Sequence, residues 1–176
     1  MKNSYLYHAL QTGLICAAGS EIKLKVNGTS MFPCLKSGDN VYAIPEPINN
    51  LMIGDVVAVM REHDIITHRL IKIDGNHIYC KGDNSHIPDP PVKADQIIGK
   101  IVAVEREGKR IAYDHRYWIK KNRTLGRLGY LEYRIYHFGS RFIKQQNGYL
   151  KNNPHISVGR IVFLPFRAIM RLILFM

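Results

Sequence analysis

Val56-Val57-Ala58-Val59-Met60, a polar turn over Arg61 to Asp64, and Ile65-Ile66-Thr67-His68-Arg69-Leu70-Ile71-Lys72-Ile73 form the stretch that decides the fold. The first segment is an apolar run of strand length. The last alternates, with Ile65, Thr67, Arg69, Ile71 and Ile73 against Ile66, His68, Leu70 and Lys72. Side chains of a strand point alternately to its two faces, so the pair predicts a β-hairpin. Working outward, shorter strands separated by turn residues are predicted on both sides. Glu21 to Val26 places Ile22, Leu24 and Val26 on one face, and Asn40 to Ile44 is a strand stopped by Pro45 and Pro47. Asp74-Gly75-Asn76 turns into His77 to Cys80. A proline-rich loop, Pro88 to Pro91, precedes an apolar strand over Ile97 to Val104, which Gly108 turns toward Ile111. Residues 20–113 therefore read as a mainly-β domain, a small coiled sheet or partly open barrel.

The flanks differ from this domain. Residues 1–19 are expected to hold a short helix, over Tyr5 to Ala18. Residues 1–115 carry 13 Lys+Arg and 13 Asp+Glu, whereas residues 116–176 carry 12 Lys+Arg and Glu132 as their one acid. The whole net charge of +11 thus falls within residues 116–176, inside a basic C-terminal extension, residues 114–176. Within it, Trp118 to Lys144 is expected to be helical in parts, broken near Gly126, Gly129 and Gly139. Asn152-Asn153-Pro154 reads as a linker. Arg160 to Met176 places Arg160, Arg167 and Arg171 on one helical face. At 1.5 Å per residue that helix spans about 25 Å, short of the roughly 30 Å hydrocarbon core, so it is expected to lie in a membrane interface. The apolar run from Ala9 to Ala18 is also too short to cross a bilayer. Aliphatic stretches between the arginines favour a lipid surface over nucleic acid as the partner. The three cysteines, Cys16, Cys34 and Cys80, show neither a disulfide framework nor a metal-ligand spacing. No metal or other cofactor is expected.

The chemistry centres on Val26-Asn27-Gly28-Thr29-Ser30-Met31-Phe32-Pro33. A glycine turn followed by a proline can present the Ser30 hydroxyl in front of the backbone. Serine attacks a carbonyl only when a base takes its proton, and histidine has the basicity for that task. A carboxylate can fix the histidine tautomer and stabilise its charged form. His68 lies on the alternating strand. Asp83, in Lys81-Gly82-Asp83-Asn84, and Asp89, six residues on, both qualify as the third member. Lys72, four residues after His68, is a minor alternative base in a Ser–Lys dyad. His63, His77 and His86 read as surface or structural histidines, and Cys34 as a small buried packing residue.

In order and approximate spacing, Gly28 to Pro33, Gly54-Asp55-Val56-Val57, Thr67-His68-Arg69 and Lys81-Gly82-Asp83-Asn84 resemble the signal peptidase I family. The likeness covers roughly residues 24–104. His68 stands where the usual bacterial enzymes of that family have a lysine. That resembles the endoplasmic-reticulum, archaeal and spore-former branch. The resemblance implies Ser30 as nucleophile, His68 as general base, and Asp83 or Asp89 in the third role. It also implies a membrane-associated serine endopeptidase that cleaves leader or signal segments, with Met31 bordering the cleft. The Ser30 N–H is the expected oxyanion donor. Three features depart from the family. No membrane-entering helix is expected before Ser30. Gly28 stands where many members have a serine that helps the oxyanion hole. The basic extension is not a standard part of the fold. Two other readings stay open: a self-cleaving Ser–Lys peptidase of the transcription-regulator type, and a degenerate fold that acts as a membrane-tethered binding module.

Overall fold

A computed structural model describes residues 21–61, 64–85, 87–113 and 116–146, together with Leu172, with helix side chains described as far as Phe138. The helix expected over residues 1–19, the linker at 152–154, the interfacial helix at 160–176 apart from Leu172, and His63 and His86 lie outside these residues.

Seven strands follow in order: β1 (Ile22–Lys25), β2 (Asn40–Ile44), β3 (Val56–Arg61), β4 (Asp64–Asp74), β5 (His77–Lys81), β6 (Ile97–Arg106) and β7 (Lys109–Ala112). All pairings are antiparallel. The sheet runs β1-β2-β6-β3-β4-β5, with β7 also on β6, and does not close into a barrel. The fold is mainly β with one long C-terminal helix, α1 (Arg116–Gln146).

The β3 run is continuously apolar because both of its faces are covered. Val56 and Ala58 join Met31, Leu35, Val41 and Ile101 in one core; Val57 and Val59 join Leu70, Ile78, Cys80 and Val92 in the other. A strand buried on both faces gains nothing from alternation. Met31 is 2% exposed and belongs to the first core, so it packs inside the domain instead of bordering a cleft.

Strand β4 pairs with β3 in the expected hairpin, with Val56 opposite Arg69 and Val57 opposite His68. Its alternation does not persist to the end. The register with β5 shifts between Leu70 and Lys72. Such a bulge adds one residue and reverses the phase of every side chain beyond it. Ile73 therefore packs with Leu70 and Val57, not with the Arg69 side of the strand.

Helix α1 runs unbroken through Gly126 and Gly129, which were expected to interrupt it. These glycines are where the helix meets the sheet. A Cβ on Gly126 would lie 2.5 Å from the Gly54 nitrogen, and one on Gly129 would lie 2.9 Å from Ile71 Cγ2. Close approach of two backbones requires glycine, and the packing offsets its poor helix propensity. Asn122, Leu125, Gly126, Gly129, Glu132 and Tyr136 form the buried face, at helical spacing. At the start of α1, Trp118 stacks on Tyr113 with ring centroids 5.0 Å apart.

Candidate active site

Ser30 sits in the turn between β1 and β2. Gly28, with φ of 91°, supplies a left-handed backbone at its entrance, and the Phe32 amide closes the turn on the Thr29 carbonyl at 3.1 Å. The segment Gly82-Asp83-Asn84 holds this turn from the far side. The Asn84 amide donates to the Ser30 carbonyl at 2.7 Å, and its side-chain Nδ2 to the Thr29 carbonyl at 3.1 Å. A Cβ at Gly82 would fall 2.7 Å from the Ser30 carbonyl oxygen. Only glycine lets the two segments come this close.

His68, in the buried middle of β4, brings its Nε2 to 2.9 Å from Ser30 Oγ. Its Nδ1 lies 2.5 Å from Asp89 Oδ2. Sequence separations of 38 and 21 residues collapse into one chain of hydrogen bonds. His68 is 8% exposed, so its ring is held by packing as well as by its partners. Asp89 is delivered by the proline-rich loop. That loop folds back along β5, with the Asp89 amide on the Cys80 carbonyl at 3.0 Å and a bridge between Ile78 and Val92.

Asp83 goes elsewhere. Both of its carboxylate oxygens are taken by Arg69, from Nε and from Nη2, each at 2.7 Å. This pair is almost wholly buried, with side-chain exposures of 1% and 2%. Burial opposes the Arg69 charge, but the Asp83 carboxylate outweighs it and holds the guanidinium still more firmly protonated than usual. Arg69 Nη1 also donates to the Gly54 carbonyl at 2.7 Å and to Asn122 Oδ1 at 2.9 Å. Adjacent residues of β4 thus serve opposite faces: His68 the serine, Arg69 the underside of the sheet against α1.

Lys72 is not a partner of Ser30. The β4 bulge turns it toward α1, where its ammonium binds Asp74 at 2.6 Å and lies 5.1 Å from the Tyr79 ring centroid. Its pKa is raised, chiefly by that Asp74 hydrogen bond, so at neutral pH it holds its proton more firmly than an ordinary lysine and is less available as a general base. Lys81, the other lysine near the site, forms a buried ion pair with Glu132 of α1 at 2.6 Å. The Cys34 thiol, 9% exposed, lies 3.7 Å from the Tyr113 hydroxyl and 3.6 Å from Arg69 Nη2. Burial raises its pKa, as it raises that of Cys80 to about 12, so both are inert packing thiols at neutral pH. His77 is exposed at the start of β5 and away from the cluster.

Three participants were not expected at the site, although Glu132 stands out in the sequence as the one acid of residues 116–176. Arg61, in what read as a plain polar turn, donates to the Pro90 carbonyl at 2.7 Å and approaches Asp89 Oδ2 at 4.0 Å. Asn122 and Glu132 reach the site's underside from α1. Among the described residues no group of three or more His, Cys, Asp or Glu side chains is placed to hold a metal. No helix among them is long and apolar enough to cross a membrane.

A hydroxyl, an imidazole and a carboxylate at hydrogen-bond distance, on an open antiparallel sheet, define the serine peptidase class. The chain belongs to the Peptidase S24-like family, whose sequence profile matches residues 5–102. That span includes Ser30, His68, Asp83 and Asp89 and ends before α1. No curated protein matches the chain.

Proposed function

We propose that this protein is a serine endopeptidase that cleaves leader or signal segments with Ser30 as nucleophile, His68 as general base and Asp89 as the orienting carboxylate. The hydrogen-bonded chain Ser30 Oγ–His68 Nε2–Asp89 Oδ2 carries the reading. With Nδ1–H donated to Asp89, His68 presents an unprotonated Nε2 to the serine. As Ser30 Oγ bonds to the scissile carbonyl carbon, its proton passes to Nε2 and the carbonyl π pair moves onto oxygen. The Ser30 backbone N–H is the donor proposed for that oxyanion. When the C–N bond breaks, His68 returns the proton to the departing amine, leaving an acyl-Ser30. Water, deprotonated by His68 in turn, releases the acid and restores the hydroxyl. Asp83 has no step in this sequence, because Arg69 occupies both of its oxygens.

The signal-peptidase-like substrate class rests on the ordered Ser30, His68 and Gly82-Asp83-Asn84 motifs and on a histidine at the base position. Substrate backbone would add to a strand edge, and the protein would rest on a membrane surface through residues 155–176. The experiment is co-expression of small precursor peptides with the wild type, Ser30→Ala and His68→Ala. Loss of processing in both variants is expected, and unchanged processing in both refutes the assignment. Removing residues 155–176 is expected to release the protein from anionic liposomes; co-sedimentation of the truncated chain refutes the membrane contact.

The family match favours a second reading, self-cleavage by a Ser–Lys pair. Intact mass after incubation at raised pH decides it. A Ser30-dependent cleavage product that survives His68→Ala would replace the histidine mechanism. Covalent labelling of Ser30 by a fluorophosphonate excludes the non-catalytic binding module.

A further inference from the structure

We propose that helix α1 completes the active site, and that Glu132 is a positioning residue holding the Ser30 turn through Lys81 and Gly82. The proposal rests on the peptidase reading of Ser30 for its catalytic consequence, though not for its geometry. Glu132 is the one acid of residues 116–176, which carry 12 Lys+Arg, yet it is buried where Lys120, Arg123, Arg127 and Arg134 of the same helix are exposed. It is 3% exposed and meets the ammonium of Lys81, itself 3% exposed. Lys81 is the residue before Gly82, and its Nζ also donates to the Gly82 carbonyl at 3.2 Å. Gly82 is the residue pressed against Ser30, and Asn84 holds the Ser30 carbonyl.

Asn122 supplies a second tie from the same helix face. It accepts from Arg69 Nη1, and the other arms of Arg69 clamp Asp83. Ten residues separate Asn122 and Glu132, about 15 Å along the axis, so α1 fastens both sides of the Gly82 segment. The profile of the family ends at residue 102, before this helix begins. A buried ion pair is a poor source of net stability compared with apolar packing. Placed beside Gly82, its effect is to fix where the segment supporting the nucleophile lies.

The test uses full-length Glu132→Gln, Glu132→Asp and the double variant Lys81→Met/Glu132→Leu. The first readout is hydrogen exchange at the Asn84 amide, which needs no catalysis. The second is the fluorophosphonate labelling rate of Ser30, separated into its maximal rate and half-saturating concentration. In Glu132→Gln, Asn84 exchange is expected to rise at least about tenfold while β2 and β6 amides keep their protection. The maximal labelling rate is expected to fall about tenfold or more at unchanged half-saturation, and Glu132→Asp to recover part of it. The double variant removes both buried charges, so it is expected to regain thermal stability yet remain slow, because the Gly82 carbonyl has lost its donor. Unchanged Asn84 exchange in folded Glu132→Gln overturns the proposal. So does a double variant that regains stability and labelling together. A wild type that resists labelling, with Asn84 exchange still answering to Glu132→Gln, leaves the positioning role standing and removes the peptidase reading.

Discussion

Replacing Asp89 and Asp83 in turn by asparagine separates two carboxylates that share one loop region but meet different cations. Asp89 faces His68 Nδ1 at 2.5 Å, at a partly solvated edge where its side chain is 14% exposed. An asparagine there can donate to Nδ1 and so favour the tautomer with a proton on Nε2, which cannot accept from Ser30. Where a catalytic carboxylate is exchanged for an amide in this way, the rate falls about 10⁴-fold while the fold survives. The lost charge-assisted hydrogen bond is expected to lower stability by about 1.5–3 kcal/mol. Asp83 is the opposite case. Its two 2.7 Å bonds to Arg69 lie within a pair whose side chains are 1% and 2% exposed. Removing that carboxylate leaves a guanidinium buried without its counter-charge, at a cost of about 3–5 kcal/mol. For a chain of this size that is a fall in Tm of about 6–20 °C. The rate loss of folded Asp83→Asn is expected to be about two orders of magnitude smaller than that of Asp89→Asn. Thermal melts paired with fluorophosphonate labelling of Ser30 at 20 °C read both quantities. Wild-type labelling in Asp89→Asn refutes the reasoning. So does an Asp83→Asn variant that melts like the wild type while losing its labelling.

Gly126→Ala is expected to destabilise the protein although alanine is the better helix former. Its Cβ would lie 2.5 Å and 2.6 Å from backbone atoms of Gly54, a clash of about 1–3 kcal/mol against roughly 1 kcal/mol of propensity. Gly129→Ala meets only the Ile71 methyl and should be milder, and a raised urea midpoint for Gly126→Ala refutes the packed crossing. At Asp39, burial would raise the carboxyl pKa, but a forked pair with Arg106 and the Lys36 amide hold it below its ordinary 3.8. A depressed carboxylate contributes stability above its unfolded value and loses it as pH falls through the folded one. Arg106→Gln should therefore flatten the stability loss below about pH 4, and equal acid slopes in the two proteins refute the pairing.

The strands were legible because their signal is local. Ile22 and Val26 share a core as their spacing predicts, and Asp64–Asp74 pairs with Val56–Arg61 as a hairpin. Residue type in an ordered set of motifs singled out Ser30 and His68, which the fold brings to 2.9 Å from each other. Three things were not legible. The choice between Asp83 and Asp89 depends on the proline-rich loop folding back along β5, which no local pattern encodes. The side of the sheet on which Lys72 lies depends on a bulge, and one extra residue reverses a phase that the sequence shows as continuous. Gly126 and Gly129 read as breaks because helix propensity is intrinsic, whereas their use is a contact with Gly54 and Ile71 far away in the chain.

By itself, then, the amino-acid order determined a β domain, a turn presenting Ser30, a histidine of suitable chemistry and a basic tail. Each of these is a property of neighbouring residues or of side-chain type. Tertiary structure alone decided which carboxylate serves His68, where Met31 points, and that α1 braces the underside of the site. Those outcomes depend on distances between segments 20 to 100 residues apart, and burial assigns each charged group there to the partner that compensates it.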